Sequence, residues 1–191
     1  LEEEQESLKN DKSYFYKFQL LFYWGSYKLG IGEEGYGIVQ LTEACKMAKI
    51  VFSTAEGAYY ATCLTELAMA YNKAGCREEA CECYKKVLRI YDTVEGHAFE
   101  RQRILNNMGV MYLDWEKPEE ALTCLEEAYR LGVDMGGLAA AEPANNLSKA
   151  YRLLGSREEE LRYLQEAAPV LEQFYGSAHP KVVDAKERLM G

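Results

Sequence analysis

The sequence repeats itself with a period of about 40 residues, and this repetition restricts the possible folds more than any other feature. A small residue closes an apolar stretch five times, at steps of 43, 41, 39 and 43 residues: Gly25, Ala68, Gly109, Ser148 and Gly191. Repetition at a period of this length is typical of solenoids, in which each unit packs only against its neighbours. The chain is therefore expected to fold as a stack of similar units.

Other residue types keep the same register within each unit. A tyrosine follows the small residue by three positions in three units, at Tyr71, Tyr112 and Tyr151. A glycine follows it by seven positions in three units, at Gly32, Gly75 and Gly155. Apolar residues around these positions recur at spacings of three and four, as on one face of an α-helix. Each unit is therefore predicted to be two amphipathic helices joined by a short turn.

The start of each second helix carries its own signals. Three units have a pair of glutamates there, Glu78-Glu79, Glu119-Glu120 and Glu158-Glu159. Acidic residues in a first turn complement the positive end of the helix dipole. Pro118 and Pro180 stand where a proline is tolerated, in the first turn of a helix.

These residues resemble the tetratricopeptide repeat family, because the ladder of a small residue, Tyr, Gly and Ala recurs across three units. HEAT-type repeats have a similar period but lack this ladder. The segments Gly176-Ser-Ala-His179-Pro180 and Leu105-Asn-Asn-Met-Gly109 resemble the kinesin-light-chain type of unit. The resemblance implies an all-α fold, a right-handed α-solenoid of about four helix pairs plus a C-terminal capping helix. An acidic flank (1–12) precedes one predicted repeat domain (13–191), with units at about 13–55, 56–96, 97–136 and 137–176 and a final helix at 179–191.

Composition limits the classes of partner. The net charge of −9 argues against broad nucleic-acid binding, which depends on neutralising phosphates. No stretch of about eighteen apolar residues predicts a membrane span, and no signal peptide is visible after Leu1. The absence of an initiating Met suggests a fragment of something larger. Six cysteines in a long helical chain are expected to be reduced thiols, which predicts a cytoplasmic protein.

Three motifs could suggest chemistry, but each has a structural explanation. Gly30-Ile-Gly32-Glu-Glu-Gly35 spells a dinucleotide fingerprint, yet its two glutamates would repel phosphate and Gly32 falls in the turn register. Cys81 and Cys83 are two residues apart on a helix and so cannot share one metal ion. The two histidines, His97 and His179, stand at equivalent unit entries, far apart in the array. We therefore predict no catalytic residues, no metal, no cofactor and no enzyme activity.

The resemblance also implies where a partner would bind, since the first helix of each unit lines a concave groove in the family. The implied partner-binding residues are Arg103, Asn106, Asn107, Val110, Asn145, Asn146, Lys149, Arg152 and Arg188. Asparagine amides both donate and accept hydrogen bonds, as the backbone of an extended peptide requires. The alternative is that these asparagines face water or tie adjacent helices together. Glu142 is the only acid near the cations of this set, which predicts an acidic partner segment or a C-terminal carboxylate.

The predicted function is a protein-interaction module or scaffold that binds a peptide or helix of a partner protein in this groove, without nucleic acid or membrane insertion. An alternative is a regulatory or docking domain of a larger enzyme or receptor, packing on its own chain. The aromatic segment from Tyr14 to Trp24 bears on this alternative. It is predicted to be a buried first helix packed on both sides, although an exposed docking patch would have the same composition.

Overall fold

The computed structural model describes residues 12–51, 57–92 and 96–191, and every regular element in these ranges is an α-helix. In chain order the helices are α1 (Lys12–Gly30), α2 (Glu34–Val51), α3 (Ala58–Lys73), α4 (Arg77–Asp92), α5 (Ala98–Asp114), α6 (Pro118–Met135), α7 (Leu138–Leu153), α8 (Arg157–Tyr175) and α9 (Pro180–Met190). The predicted all-α repeat fold is confirmed. The predicted acidic flank lies outside the described residues, except for Lys12, which begins α1.

The helices fall into two compact units, one ending at Glu95 and the other beginning at Gly96. In the first unit, α1 packs on α2, α2 on α3 and α3 on α4. In the second unit, the consecutive helices from α5 to α9 pack on one another in the same way, and α5 contacts α7 in addition. The boundaries of the four predicted repeats, and their union in one domain, stay predictions.

Small residues recur because the two helices of a pair approach closely at that point. A Cβ added at Gly109 would lie 2.5 Å from Leu125 Cδ2, and one added at Gly25 would lie 2.8 Å from Leu41 Cγ. Each leucine follows its glycine by 16 residues, so the same contact joins α1 to α2 and α5 to α6. The pattern read in the sequence is therefore a packing contact between the two helices of each pair.

The turns between paired helices adopt one backbone conformation. Gly32, Gly75 and Gly155 have φ angles between 76° and 80°, a region that favours glycine, and Glu116 takes the equivalent place with φ 55°. Gly32 separates α1 from α2, which confirms the inter-helix turn in place of a dinucleotide loop. The predicted first-turn features are also confirmed: glutamate pairs begin α4, α6 and α8, and Pro118 and Pro180 begin α6 and α9.

The aromatic first helix is only half buried, and the prediction that it packs on both sides is wrong. Phe18, Gly25 and Leu29 face inward, whereas other aromatic residues of the same helix, such as Tyr23 and Trp24, are exposed. The sequence showed that both faces are apolar, but burial of the second face requires a neighbour. Among the described residues, no helix packs there.

Pro143 lies inside α7, and a neighbouring helix compensates for the hydrogen bond that it removes. Because proline has no N–H, the carbonyl four residues earlier, on Ala139, receives no bond from position 143. Gln102 Nε2 of α5 donates to that oxygen at 2.8 Å. The buried glutamine therefore ties α5 to α7 at the point where α7 would otherwise leave a carbonyl unpaired.

Replacing Gln102 with leucine should expose the importance of this bond. The Ala139 carbonyl would lose its side-chain donor in a largely buried place, which costs about 1–3 kcal/mol. Chemical denaturation would measure the loss, with the exposed substitution Gln165→Leu on α8 as the control. Equal stability of the Gln102→Leu and Gln165→Leu variants would contradict the inference that the Gln102 hydrogen bond compensates for Pro143.

Two further observations concern the chain's environment and chemistry. Over the described ranges, no helix has both the length and the apolar character needed to cross a bilayer. All six cysteines are free thiols, and all but Cys76 are buried.

Candidate functional site

The second unit contains a cavity of about 640 Å³ formed by α5, α7 and α9, which we call the α5–α7–α9 cavity. Its lining consists of Val110, Leu113, Asp114, Asn146, Lys149, Arg152, Leu153, Asp184 and Arg188. The four residues from α7 follow one another by three, three and one positions, which puts them within about 120° on one side of that helix. Five of the nine residues that the sequence implied as partner-binding lie in this lining: Val110, Asn146, Lys149, Arg152 and Arg188.

Lys149 is the cation most affected by the cavity. Its side chain is half-buried, and burial lowers the pKa of its ammonium because the charge is poorly solvated there, whereas Asp184 raises it. Lys149 forms no ion pair with any described residue. The exposed Arg152, one turn further along α7, also has no ion-pair partner among the described residues. The cavity wall therefore presents two adjacent cations, neither of which forms an ion pair with a described residue.

The cavity also contains acidic residues that the sequence analysis missed. Asp114 and Asp184 line it, and the Asp184 carboxylate lies 3.4 Å from Arg188 Nη1. Glu142, the acid expected nearby, is instead held 2.7 Å from Lys181 Nζ. The expectation that Glu142 is the only acid near the predicted groove was therefore wrong. The sequence analysis did not include Asp114, the last residue of α5, and from the final helix it included only Arg188.

Arg188 contributes to the packing of the second unit as well as to the cavity lining. Its side chain is buried, with Nη2 3.0 Å from Glu160 Oε1 and 2.9 Å from Ser148 Oγ. Arg157 holds the other carboxylate oxygen of Glu160 at 2.9 Å. Burial alone would raise the pKa of Glu160, but hydrogen bonds and charges from the two arginines outweigh it and lower that pKa. The guanidinium of Arg188 is therefore engaged by α7 and α8.

Of the two roles that the sequence left open for the asparagines, the structure shows one, a tie between adjacent helices. Asn146 Nδ2 donates to Asn106 Oδ1 at 2.9 Å, so this pair ties α7 to α5. Asn145 is fully buried, and neither of its amide atoms has a hydrogen-bond partner within the described parts of the chain. By analogy with the Asn106–Asn146 pair, the partner of Asn145 would lie on α9 at position 189. Leu189 stands there and has no amide group to form the bond.

The remaining two candidates lie outside the cavity lining. Asn107 is half-buried on α5, and Arg103 is exposed on the same helix. The structure thus brings Lys149, Arg152 and Val110 together at one wall, but it does not add Arg103, Asn107 or Asn145 to them. Arg103 and Asn107 precede Val110 by seven and three residues, which are spacings of one helix face. Sequence spacing alone therefore could not show that Val110 lines the cavity whereas Arg103 and Asn107 lie outside the lining.

The residues considered for chemistry have structural roles. His97 and His179 precede α5 and α9 directly, and His179 Nδ1 accepts a hydrogen bond from the Lys181 backbone N–H at 3.2 Å. Within the described residues, no group of three or more His, Cys, Asp or Glu side chains is arranged to hold a metal ion. The site is therefore best described by its charge and shape.

Family comparison agrees with the repeat pattern. Two models of the tetratricopeptide repeat match the chain, one over residues 59–132 and the other over residues 144–181. Together these matches span more than half of the chain. A search of curated protein sequences finds no significant match.

Solved structures share the fold at low sequence identity. The TPR-like repeats of a kinesin light chain from Podosopora anserina superpose with a TM-score of 0.73 at 18% identity, covering 91% of this chain and 84% of that chain. BtubC (BKLC) from P. vanneervenii gives 0.74 at 18% identity, covering 86% and 67%. A Rap protein complexed with Competence and Sporulation Factor gives 0.73 at 18% identity, covering 91% of this chain and 47% of that chain. At these identities the similarity establishes the fold.

Proposed function

We propose that this chain, which belongs to the tetratricopeptide repeat family, is a protein-interaction module that holds an acidic segment of a partner protein in the α5–α7–α9 cavity. The observation that carries the proposal is the pair of cations Lys149 and Arg152 on one wall of that cavity, neither of which is ion-paired with a described residue. A half-buried ammonium loses solvation, and a carboxylate from a ligand would restore a favourable environment for it.

Apolar side chains beside the cations define the rest of the ligand. Val110, Leu113 and Leu153 line the same cavity. A segment that alternates carboxylates with an aliphatic or aromatic side chain would pair with the cations and bury apolar surface at once. Asp114 and Asp184 would disfavour a uniformly acidic ligand, because like charges repel across an interface. The best ligand is thus an acidic peptide or helix with at least one apolar anchor.

A solved structure of the same fold supports the proposed binding role. A protein of the same fold has been solved in complex with Competence and Sporulation Factor, which supports a binding role for this architecture. We infer that the present chain binds without catalysing a reaction and needs no cofactor. Its net charge of −9 disfavours nucleic acid as the partner, and its free thiols suit a reducing compartment such as the cytoplasm.

Charge reversal of the two cations tests the proposal. In a Lys149→Glu, Arg152→Glu variant, binding of a glutamate-rich peptide with one leucine should weaken by about tenfold per residue, since a hydrogen bond to a charged group contributes about 1.5–3 kcal/mol. Fluorescence anisotropy would measure the affinity, and circular dichroism would verify the fold.

A matched control separates this site from general electrostatics. The variant Arg89→Glu, Arg130→Glu changes the net charge equally, at two exposed positions on α4 and α6. It should reduce affinity only slightly, because exposed charges are screened by salt. Equal losses in both double variants would mean that total charge governs binding, and the proposed site would be wrong.

A further inference from the structure

Helix α1 is apolar on two opposite faces, and the described residues cover only one of them. The buried face contains Phe18, Gly25 and Leu29. The opposite face, together with Ile31 directly after the helix, is called the α1 outer stripe and consists of Tyr16, Leu20, Tyr23, Trp24, Tyr27 and Ile31, each between 49% and 69% exposed. Successive members are four, three, one, three and four residues apart, so they occupy about 100° of the helix surface. A contiguous exposed apolar surface of this kind marks an interaction site.

The second unit shows what covers the equivalent face of a first helix. In the repeat register, the α1 outer stripe corresponds to positions 123 residues later, where Pro143, Asn146, Leu147 and Ala150 are buried, Ala139 is half-buried and Leu154 is exposed. Two helices cover this face of α7: Asn146 donates a hydrogen bond to Asn106 of α5, and Leu147 and Ala150 share an apolar cluster with Leu125 of α6. A helical neighbour therefore fits the equivalent face of α1.

Charge indicates the chemistry of that helix. Helix α1 contains three lysines and no acidic residue, although the chain as a whole is acidic. Helix α6, which together with α5 covers the equivalent face of α7, contains five acidic residues and a single arginine. Lys12 and Lys17 are exposed on α1, and no described residue forms an ion pair with either. The matching partner is therefore an acidic amphipathic helix.

The apolar surface continues onto the second helix through an aromatic–cation contact. Lys28 Nζ lies 5.3 Å from the ring centre of Trp24 and 5.9 Å from that of Tyr36. Glu33 neutralises this lysine at 2.9 Å, and the exposed Val39 extends the apolar area along α2. The C-terminal half of the surface is thus apolar and neutral, and its cationic part is the N-terminal half of α1.

We propose that the α1 outer stripe docks an acidic amphipathic helix of a partner protein. A second copy of the chain fits less well, because two α1 helices facing each other would bring lysines together without any acidic residue to pair with them. This surface belongs to the first unit and is independent of the α5–α7–α9 cavity, so one can fail without the other.

The test uses a synthetic 18-residue peptide with the sequence of α6, Pro118–Met135, in which Cys124 is replaced by serine. It is titrated into the full chain and into a Leu20→Gln, Tyr27→Gln variant, whose changes fall on exposed side chains. The wild-type chain should bind the peptide, and the variant should bind about tenfold more weakly or worse, as expected when central apolar contacts are lost. A Lys17→Glu variant and a peptide with lysine in place of every glutamate should each show weaker binding as well.

Controls make each outcome decisive. Because the α5–α7–α9 cavity is itself proposed to bind an acidic segment with an apolar anchor, every titration is repeated on chains that also carry Lys149→Glu and Arg152→Glu. On that background Val133→Gln, which changes an equally exposed apolar residue on α6, should leave affinity unchanged, and Leu20→Gln with Tyr27→Gln should still weaken binding about tenfold. Equal affinity with and without the α1 changes on that background, equal binding of the lysine peptide, or no peptide binding once the cavity is changed would each overturn the proposal. Dimerisation of the wild-type chain that Leu20→Gln abolishes would also overturn it, since the occupant would then be a second copy.

Discussion

Replacing Gly132 with alanine is expected to lower the free energy of unfolding by about 3 kcal/mol, near the upper end for overpacked sites. A Cβ added at this glycine would overlap the Ala139 carbonyl oxygen and lie 2.5 Å from its carbon. Both atoms belong to backbone, so no side-chain rotation can relieve the overlap. Helices α6 and α7 would have to separate, and the bond that Gln102 donates to the same carbonyl would be strained.

Chemical denaturation followed by circular dichroism would measure this loss, and Gly35→Ala provides the control. Gly35 lies in α2 and has no atom within 4 Å of an added Cβ. Alanine should therefore stabilise the helix there by up to about 1 kcal/mol, through its higher helix propensity. If the two variants were equally stable, the backbone contact between α6 and α7 would be contradicted.

Replacing Arg188 with leucine is expected to cost about 3–5 kcal/mol, because it leaves the buried Glu160 with only one of its two arginines. The double variant Arg188→Leu, Glu160→Leu should recover most of this loss, since it removes both buried charges together. Asp184→Asn is the mild control: its carboxylate is 44% exposed and 3.4 Å from Arg188, so the change should cost under about 1 kcal/mol.

The same ion pair predicts a dependence of stability on pH. The folded-state pKa of Glu160 is lowered, so its contribution is fully present above the ordinary glutamate value of 4.5 and is lost as pH falls through the folded-state pKa. The Arg188→Leu variant should therefore lose less stability than the wild type on acidification. Denaturation at neutral and acidic pH would measure the difference, and parallel losses in the two proteins would contradict it.

Contacts that repeat in register could be predicted from the sequence. The spacing from Gly25 to Leu41 equals that from Gly109 to Leu125, and in both pairs the glycine meets the leucine. Local helix signals such as Pro118 also succeeded, because a first-turn preference depends only on neighbouring residues. Periodicity thus encoded the helix pairs and the face on which Lys149 and Arg152 lie.

Contacts that occur once could not be predicted in this way. The ion pair of Arg188 and Glu160 spans 28 residues, and no second unit carries the same combination. The bond from Gln102 exists only because Pro143 freed a carbonyl four residues before it. The prediction that both faces of α1 are buried failed for another reason. An apolar pattern shows which residues a helix can bury, but it does not show whether a neighbouring element covers them.

The most direct test of the interaction role is to locate the bound ligand on the protein. The glutamate-rich peptide with one leucine would be titrated into isotope-labelled chain while backbone amide resonances are recorded. We predict that the largest shifts occur around Val110, Lys149 and Arg152, and that the Lys149→Glu, Arg152→Glu variant shows none of them. Saturable shifts confined to other helices, or no shifts at a peptide concentration that saturates binding, would contradict the assignment of the α5–α7–α9 cavity as the partner site.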